Sequence, residues 1–232
     1  MNSVSSYDAQ VNFNHPVPTS VLETSRVKLI PFLPHVHGDE FHAKLSAHPE
    51  LTQFLPCAFT PAIIQELLRD PESVLFAVID KTKGDGDDAH GTWGFAGMIG
   101  LLHTSSQNLC TEIGPVICFP EFQRTFVTSN AVAILLRYCL NVPAHGGLGF
   151  RRVQWTAHPA NVASIKTAER MGMKREGVLR WTWVLPLGVE GMQVPPERGQ
   201  GAGRDSVLLA AYWDDWENGG REHVDKIVDR QS

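Results

Sequence analysis

The hydrophobic positions change period several times along the chain, and each change marks an element. Cys110 to Cys118 reads as the first strand of the central stretch. A tight turn over Phe119–Thr128 leads into a helix that carries Val132, Leu135, Leu136 and Cys139 toward a core. A second strand, Arg151–Ala157, meets a second helix running from about Asn161 to Met171, with Gly172 placed as its C-terminal glycine. Upstream, Val21 to Phe32 reads as a strand ended by Pro31 and Pro34, and a short helix begins near His35, with Asp39 and Glu40 expected early in it. The segment from Thr60 to Arg69 is a clearer helix: Thr60 caps, Pro61 suits the first turn, and Ile63, Ile64, Leu67 and Leu68 form the apolar stripe. Ser73–Asp80 and Trp93–His103 read as strands, the second apolar enough to be covered on both faces, and Thr104–Asn108 turns into the strand at Cys110. Met173–Leu185 is a long strand on which Trp181 and Trp183 alternate to one face, read first as core and otherwise as a wall of an acceptor pocket. A glycine-rich insertion, Gly188–Gly203, separates it from the last strand, Ser206–Trp213.

This order implies a mixed sheet with helices on its faces, since the hairpins at 73–118 and 173–213 exclude a purely parallel one. The organisation expected is a loose arm over 1–20, one domain over 21–216 and a tail over 217–232 in which a short polar helix is the alternative.

Composition narrows the partners. The chain has 232 residues, 43% hydrophobic and 19% charged, enough to build a full core. A formal charge of -5 gives nucleic acid no basic surface. The opening residues lack a secretory pattern, no apolar run approaches bilayer length, and Cys57, Cys110, Cys118 and Cys139 show no paired spacing. A cytoplasmic protein with free thiols and no membrane span is the expectation. The histidines lack a ligand spacing, so no metal is expected.

Four motifs in order resemble the GNAT superfamily of acyl-CoA-dependent acyltransferases, and more closely the branch of the ribosomal-protein N-acetyltransferases RimJ and RimL. Gln123-Arg124-Thr125-Phe126-Val127-Thr128 is similar to the cofactor loop. Asn161-Val162-Ala163-Ser164 followed by Arg170-Met171-Gly172-Met173 resembles the branch's second-helix motif. Glu176-Gly177-Val178-Leu179-Arg180 and Arg204-Asp205-Ser206 resemble its last two strands. The likeness covers about residues 21–216 and implies a GNAT-like fold whose two parallel central strands splay apart between 109–118 and 151–157. The chain departs from the family where Phe126 and Thr128 replace small residues, so either Phe126 points away from the ligand or the loop holds the pyrophosphate differently.

The resemblance implies an acetyl-CoA-dependent N-acetyltransferase acting on a primary amine of a small molecule or a protein N-terminus by direct attack, as a monomer or homodimer. The alternatives are another acyl donor, a hydroxyl acceptor, or a non-catalytic coenzyme A-binding protein. Glu112, in an apolar strand beside the site, is the candidate general base. The blander role for it is an arginine partner bracing the sheet. A backbone N–H of Val116 or Ile117 is the candidate donor to the thioester carbonyl, because Pro115 has none. Val116, Ile117, Cys118, Gln123, Arg124, Thr125, Phe126, Val127, Thr128, Ser129, Asn161 and Ser164 are the expected acetyl-CoA contacts, the helix start holding the pyrophosphate. Ser164 or solvent is expected to protonate the leaving thiolate, since no Tyr lies in the second helix. His158 reads first as an exposed loop histidine, Asn161 also as a helix cap, and Asp205 also as a salt-bridge partner of Arg180.

Overall fold

The computed structural model describes residues 12–17, 22–84 and 93–230. Most of the expected N-terminal arm, the expected strand start at Val21 and much of the Gly/Asp loop after Lys81 lie outside those residues. The elements run β1 (Val27–Pro31), α1 (Pro34–Ala47), α2 (Pro61–Arg69), β2 (Val74–Asp80), β3 (Phe95–Ser105), β4 (Cys110–Cys118), α3 (Val127–Leu140), β5 (Arg152–Ala157), α4 (Val162–Arg170), β6 (Lys174–Val184), β7 (Gly203–Tyr212), α5 (Trp213–Asp215) and α6 (Arg221–Val228). Up to β7 this is the order that the hydrophobic pattern predicts.

Seven strands form one mixed sheet in the order β1-β2-β3-β4-β5-β7-β6. β1 to β4 are antiparallel neighbours, β4 and β5 are parallel, and β5, β7 and β6 are antiparallel again. β2 is buried along its whole length, as its unbroken apolar run requires. α3 packs against β1, β2, β4 and β5 on one side and α6 on the other. It is buried nearly all round, which explains why its apolar residues exceed a single stripe.

Helix ends follow their local chemistry. Ile63 N–H donates to the Thr60 hydroxyl at 3.4 Å, and Pro61 opens α2. Gly172 follows α4 with φ +88°, a left-handed turn that a side chain would strain. Asp39 and Glu40 sit past the first turn of α1, which starts at Pro34 and holds no acid there.

Of the tail and helix alternatives over 217–228, the helix is present. α6 buries Val224 and Val228, and Arg137 on α3 donates to Asp225 at 3.0 and 2.6 Å. Of the two readings of Trp181 and Trp183, core packing is overturned, while Trp183 lines a cleft. The two are 46% and 38% exposed, as is nearly all of β6, which is the edge strand of the sheet and bulges against β7 between Leu179 and Trp183. Asp205 accepts from the backbone N–H of Trp181 at 2.8 Å, where φ is +55°, so it holds this bulge and does not pair with Arg180.

Three strands are tied together by Glu176. Its carboxylate accepts from both terminal nitrogens of Arg152 on β5 and from the Tyr212 hydroxyl on β7 at 2.7 Å. Arg152, then Tyr212, hold its pKa down from 4.5 to about 2. A depressed carboxylate stabilises the fold above its unfolded pKa and loses that contribution as pH falls through the folded one. The pair is exposed, so Glu176→Gln is expected to cost no more than about 1 kcal/mol at pH 7. In urea unfolding series, the gap between Glu176→Gln and the parent should close as pH drops from 4.5 toward 2. A gap that persists at the acid end contradicts this account.

Candidate active site

β4 and β5 pair for only three residues, Cys110–Glu112 with Arg152–Gln154, and then separate. β4 continues to Cys118 beside β3, and β5 continues to Ala157 beside β7. The splay expected from the resemblance is therefore present. Its cause lies in a bulge: Leu101 pairs with Ile113 and Ile99 with Val116, so Gly114 and Pro115 together face Gly100. Pro115 brings no N–H to the ladder, and the Gly114–Pro115 peptide is cis.

Beyond the fork opens a cleft of about 430 Å³. β4 alternates across it: Ile113 and Ile117 face the core, while Glu112, Gly114 and Val116 are half-buried on its side. The opposite wall is the loop from Phe54 to Phe59 and one face of α2. Ile63 and Leu67 of the expected α2 stripe line this cleft, and Ile64 alone of the stripe is fully buried. The third wall is β5, the start of α4, and Trp183 and Arg204 at the far end of the β6–β7 pair.

Glu112 lines the cleft. Its carboxylate accepts from the Thr156 hydroxyl and from Gln154 Nε2 at 3.4 Å. It has no arginine partner among the described residues, because Arg152 goes to Glu176. Two held oxygens still leave lone pairs for a substrate proton. Ser164 is also at the cleft, where Trp155 Nε1 donates to its Oγ at 2.9 Å. Indole is a donor only, so the serine proton remains free to donate. Asn161 Oδ1 caps α4 by accepting from Ser164 N–H at 3.1 Å, and the residue still borders the cleft.

The other expected cofactor residues stand apart from that cleft, in a ridge at the start of α3. Ile117 and Val127 are buried, and Cys118 is half-buried with its thiol pKa pushed up by burial. Gln123 Nε2 donates to the Cys118 carbonyl at 2.9 Å, and the Thr125 hydroxyl donates to the Phe122 carbonyl at 2.6 Å. Arg124 is exposed with φ +60°. Phe126 turns inward, its ring 4.2 Å below the Arg26 guanidinium. No side chain caps α3, and the amides of Thr128 and Ser129 find no partner among the described residues. The Ser129 hydroxyl accepts from Arg170 at 3.0 Å, which ties the end of α4 to the start of α3.

His158 is better placed than its loop position suggests. It borders the cleft against the Phe54 ring at 5.4 Å, and its Nδ1 accepts from Ala160 N–H at 3.0 Å. Burial, then the nearby Arg204 charge, lower its pKa from 6.5. Arg204 itself escaped sequence reasoning, although the motif containing it did not.

The fork, the cleft and the uncapped helix start define an acyltransferase-like α/β fold. The acetyltransferase (GNAT) domain family matches residues 26–174, and the chain belongs to that family. No curated protein sequence matches it. Among solved structures, a GCN5-related N-acetyltransferase from Brucella melitensis is 24% identical with TM-score 0.69, covering 88% of this chain and 83% of that one. Mycobacterium smegmatis RimJ in complex with CoA-disulfide is 17% identical with TM-score 0.62, covering 86% and 88%. Vibrio cholerae spermidine N-acetyltransferase, in complex with CoA and spermine, is 14% identical with TM-score 0.59, covering 84% and 100%. Among the described residues, no helix is long and apolar enough to cross a membrane.

The bulge makes Gly100 a sensitive position. A Cβ there would lie 2.6 Å from the Val74 carbonyl oxygen and 2.9 Å from that of Gly114. Gly100→Ala is expected to destabilise by about 1–3 kcal/mol, read as a lower urea midpoint. Unchanged stability would show that the fork tolerates movement of β3.

Proposed function

We propose that the chain transfers an acetyl group from acetyl-CoA to a primary amine of a small molecule or a protein N-terminus, as a member of the RimJ/RimL-like branch. The observation that carries this is the fork with Glu112 on the cleft side of β4, across from Ser164 and Asn161. The ordered motif set supports the branch.

Acetyl-CoA supplies an activated thioester carbonyl. The residues present fit it: an open fork for the pantetheine arm, free amides of Thr128 and Ser129 for the pyrophosphate, and Arg124 exposed beside them. Val116 and Ile117 follow the bulge, where a β4 amide would stabilise negative charge developing on the carbonyl oxygen. Gln123 to Val127 fix the loop that precedes those helix amides, and Cys118 anchors its start through Gln123. Asn161 would contact the pantetheine arm while capping α4.

The chemistry needs a neutral amine about 3 Å from the carbonyl carbon. Glu112 accepts the amine proton as the C–N bond forms, directly or through water. Thr156 and Gln154 hold the carboxylate still for that transfer. As the C–S bond breaks, the Ser164 hydroxyl, held by Trp155, would relay a proton to sulfur while taking one from water, and Glu112 would return its proton to solvent. The inward turn of Phe126 removes the steric objection to a coenzyme at this loop.

Titration of the protein with acetyl-CoA, beside desulfo-CoA and adenosine diphosphate, is the first test. Micromolar binding that needs the pantetheine arm supports the reading, and absence of saturable binding by all three overturns it. Glu112→Gln is expected to lower kcat by about 100- to 10,000-fold with acetyl-CoA affinity preserved. Full turnover by this variant would remove Glu112 from the mechanism.

A further inference from the structure

The cleft contains a cation that no described residue balances. Arg204 lines the cleft and is only 6% exposed, yet its Nε and Nη1 have no hydrogen-bond partner among the described residues. Burying a guanidinium without partners is costly, so such a group is normally paired. Two residues along the same face of β7, the fully buried Ser206 hydroxyl also lacks a partner.

Nearby groups do not neutralise the charge. Asp205 is adjacent in sequence but sits on the opposite face of the strand, where its carboxylate holds the Trp181 amide. Asp70 accepts from the Ser73 hydroxyl at 2.6 Å and from Glu72 N–H at 3.0 Å. Glu112 is held by Thr156 and Gln154. Glu66 borders the cleft from the exposed side of α2 and forms no ion pair with Arg204. Cys57 feels the Arg204 charge, but burial outweighs it and keeps the thiol pKa raised. His158 is pushed toward its neutral form.

We infer that Arg204 is the receptor for a carboxylate on the acceptor, so that the acceptor is zwitterionic: an amine and a carboxylate on an apolar body. The apolar body follows from the walls, where Phe54, Phe59, Ile63, Trp155 and Trp183 surround the polar groups. Acids for the ammonium and a single guanidinium for the carboxylate then occupy one cleft. An acceptor bearing amines alone would leave Arg204 buried and unpaired. The register also sets a spacing. Thr156, which holds Glu112, pairs with Leu208, four residues from Arg204, or about 13 Å along β7. The long arginine side chain spans part of that distance.

The ligand is called the acceptor on the strength of the acetyltransferase reading, but its binding can be measured without turnover. The probes are 3-phenylpropionate and its uncharged analogue 3-phenylpropanamide, titrated calorimetrically into the full chain with and without coenzyme A. The carboxylate is expected to bind about 10- to 100-fold more tightly than the amide, the range for a hydrogen bond to a charged group. Arg204→Met should erase that preference and leave coenzyme A affinity unchanged, and Arg204→Lys should retain part of it. The comparison in the parent protein stands even if Arg204→Met fails to fold. Equal affinity for the two probes, no binding of the carboxylate, or a preference that survives Arg204→Met overturns the inference. So does a loss of coenzyme A affinity in Arg204→Met with carboxylate binding intact, which would assign Arg204 to a phosphate of the coenzyme. Carboxylate binding without coenzyme A binding would instead uphold the inference and defeat the acetyltransferase reading. With turnover in hand, L-phenylalanine against L-phenylalaninamide should show the same preference in kcat/KM.

Discussion

Two ladders that diverge create the site. β4 is committed to β3 and β5 to β7, and each commitment runs past the point where β4 and β5 part. Parallel neighbours normally satisfy one another along their length. Here they stop after three pairs, and the backbone groups beyond face a space that water or a ligand must fill. The bulge at Gly114–Pro115 turns β4 away, and glycine at 100 is the partner that lets it do so. The cleft is thus a property of the hydrogen-bond pattern more than of any side chain.

The helices extend that pattern. α3 follows β4 and α4 follows β5, so both helix starts lie at the open end of the fork. Arg170, at the far end of α4, donates to Ser129 and so ties that end to the start of α3. The Asn161 cap and the Trp155 bond to Ser164 place polar atoms at the same rim. The expected set of cofactor residues consequently separates into two physical groups. Val116, Asn161 and Ser164 border the cleft, and the run from Gln123 to Ser129 forms the ridge beyond it.

Local signals made most of the fold legible. The Thr60–Pro61 start of α2 lies in the residues themselves, whereas the in-and-out burial of Cys110 to Cys118 appears only in the folded strand. Glu112 was readable because a carboxylate in an apolar strand needs a reason. Register was not readable. Nothing local announces that β6 bulges between Leu179 and Trp183, or that it closes the edge of the sheet, the position that leaves both tryptophans outside the core. The unpaired state of Arg204 was equally hidden, since it depends on Asp205 facing the other way and on walls drawn from α2 and the loop before it. His158 gained its place from Phe54, about a hundred residues distant, a contact that only tertiary structure reveals.

Phe126 shows how a departure from a family motif can leave the surrounding geometry usable. Glycine serves such loops where φ must be positive or a ligand must approach closely. Phe126 has φ -68° and ψ -18°, an ordinary right-handed conformation that makes no demand for glycine. Its side chain leaves the ligand side altogether and packs beneath Arg26, whose terminal nitrogen also donates to the Val228 carbonyl at 2.8 Å. The aromatic ring therefore joins the loop to β1 and, through Arg26, to α6. The residue that carries the unusual backbone is Arg124, at φ +60°, a conformation that costs an ordinary residue about 1–2 kcal/mol. The loop keeps its bulky residue turned inward and its left-handed residue at an exposed arginine, four and five residues before the helix amides of Thr128 and Ser129, which have no partner among the described residues. That arrangement suits an anion, although the glycines that usually provide it are absent.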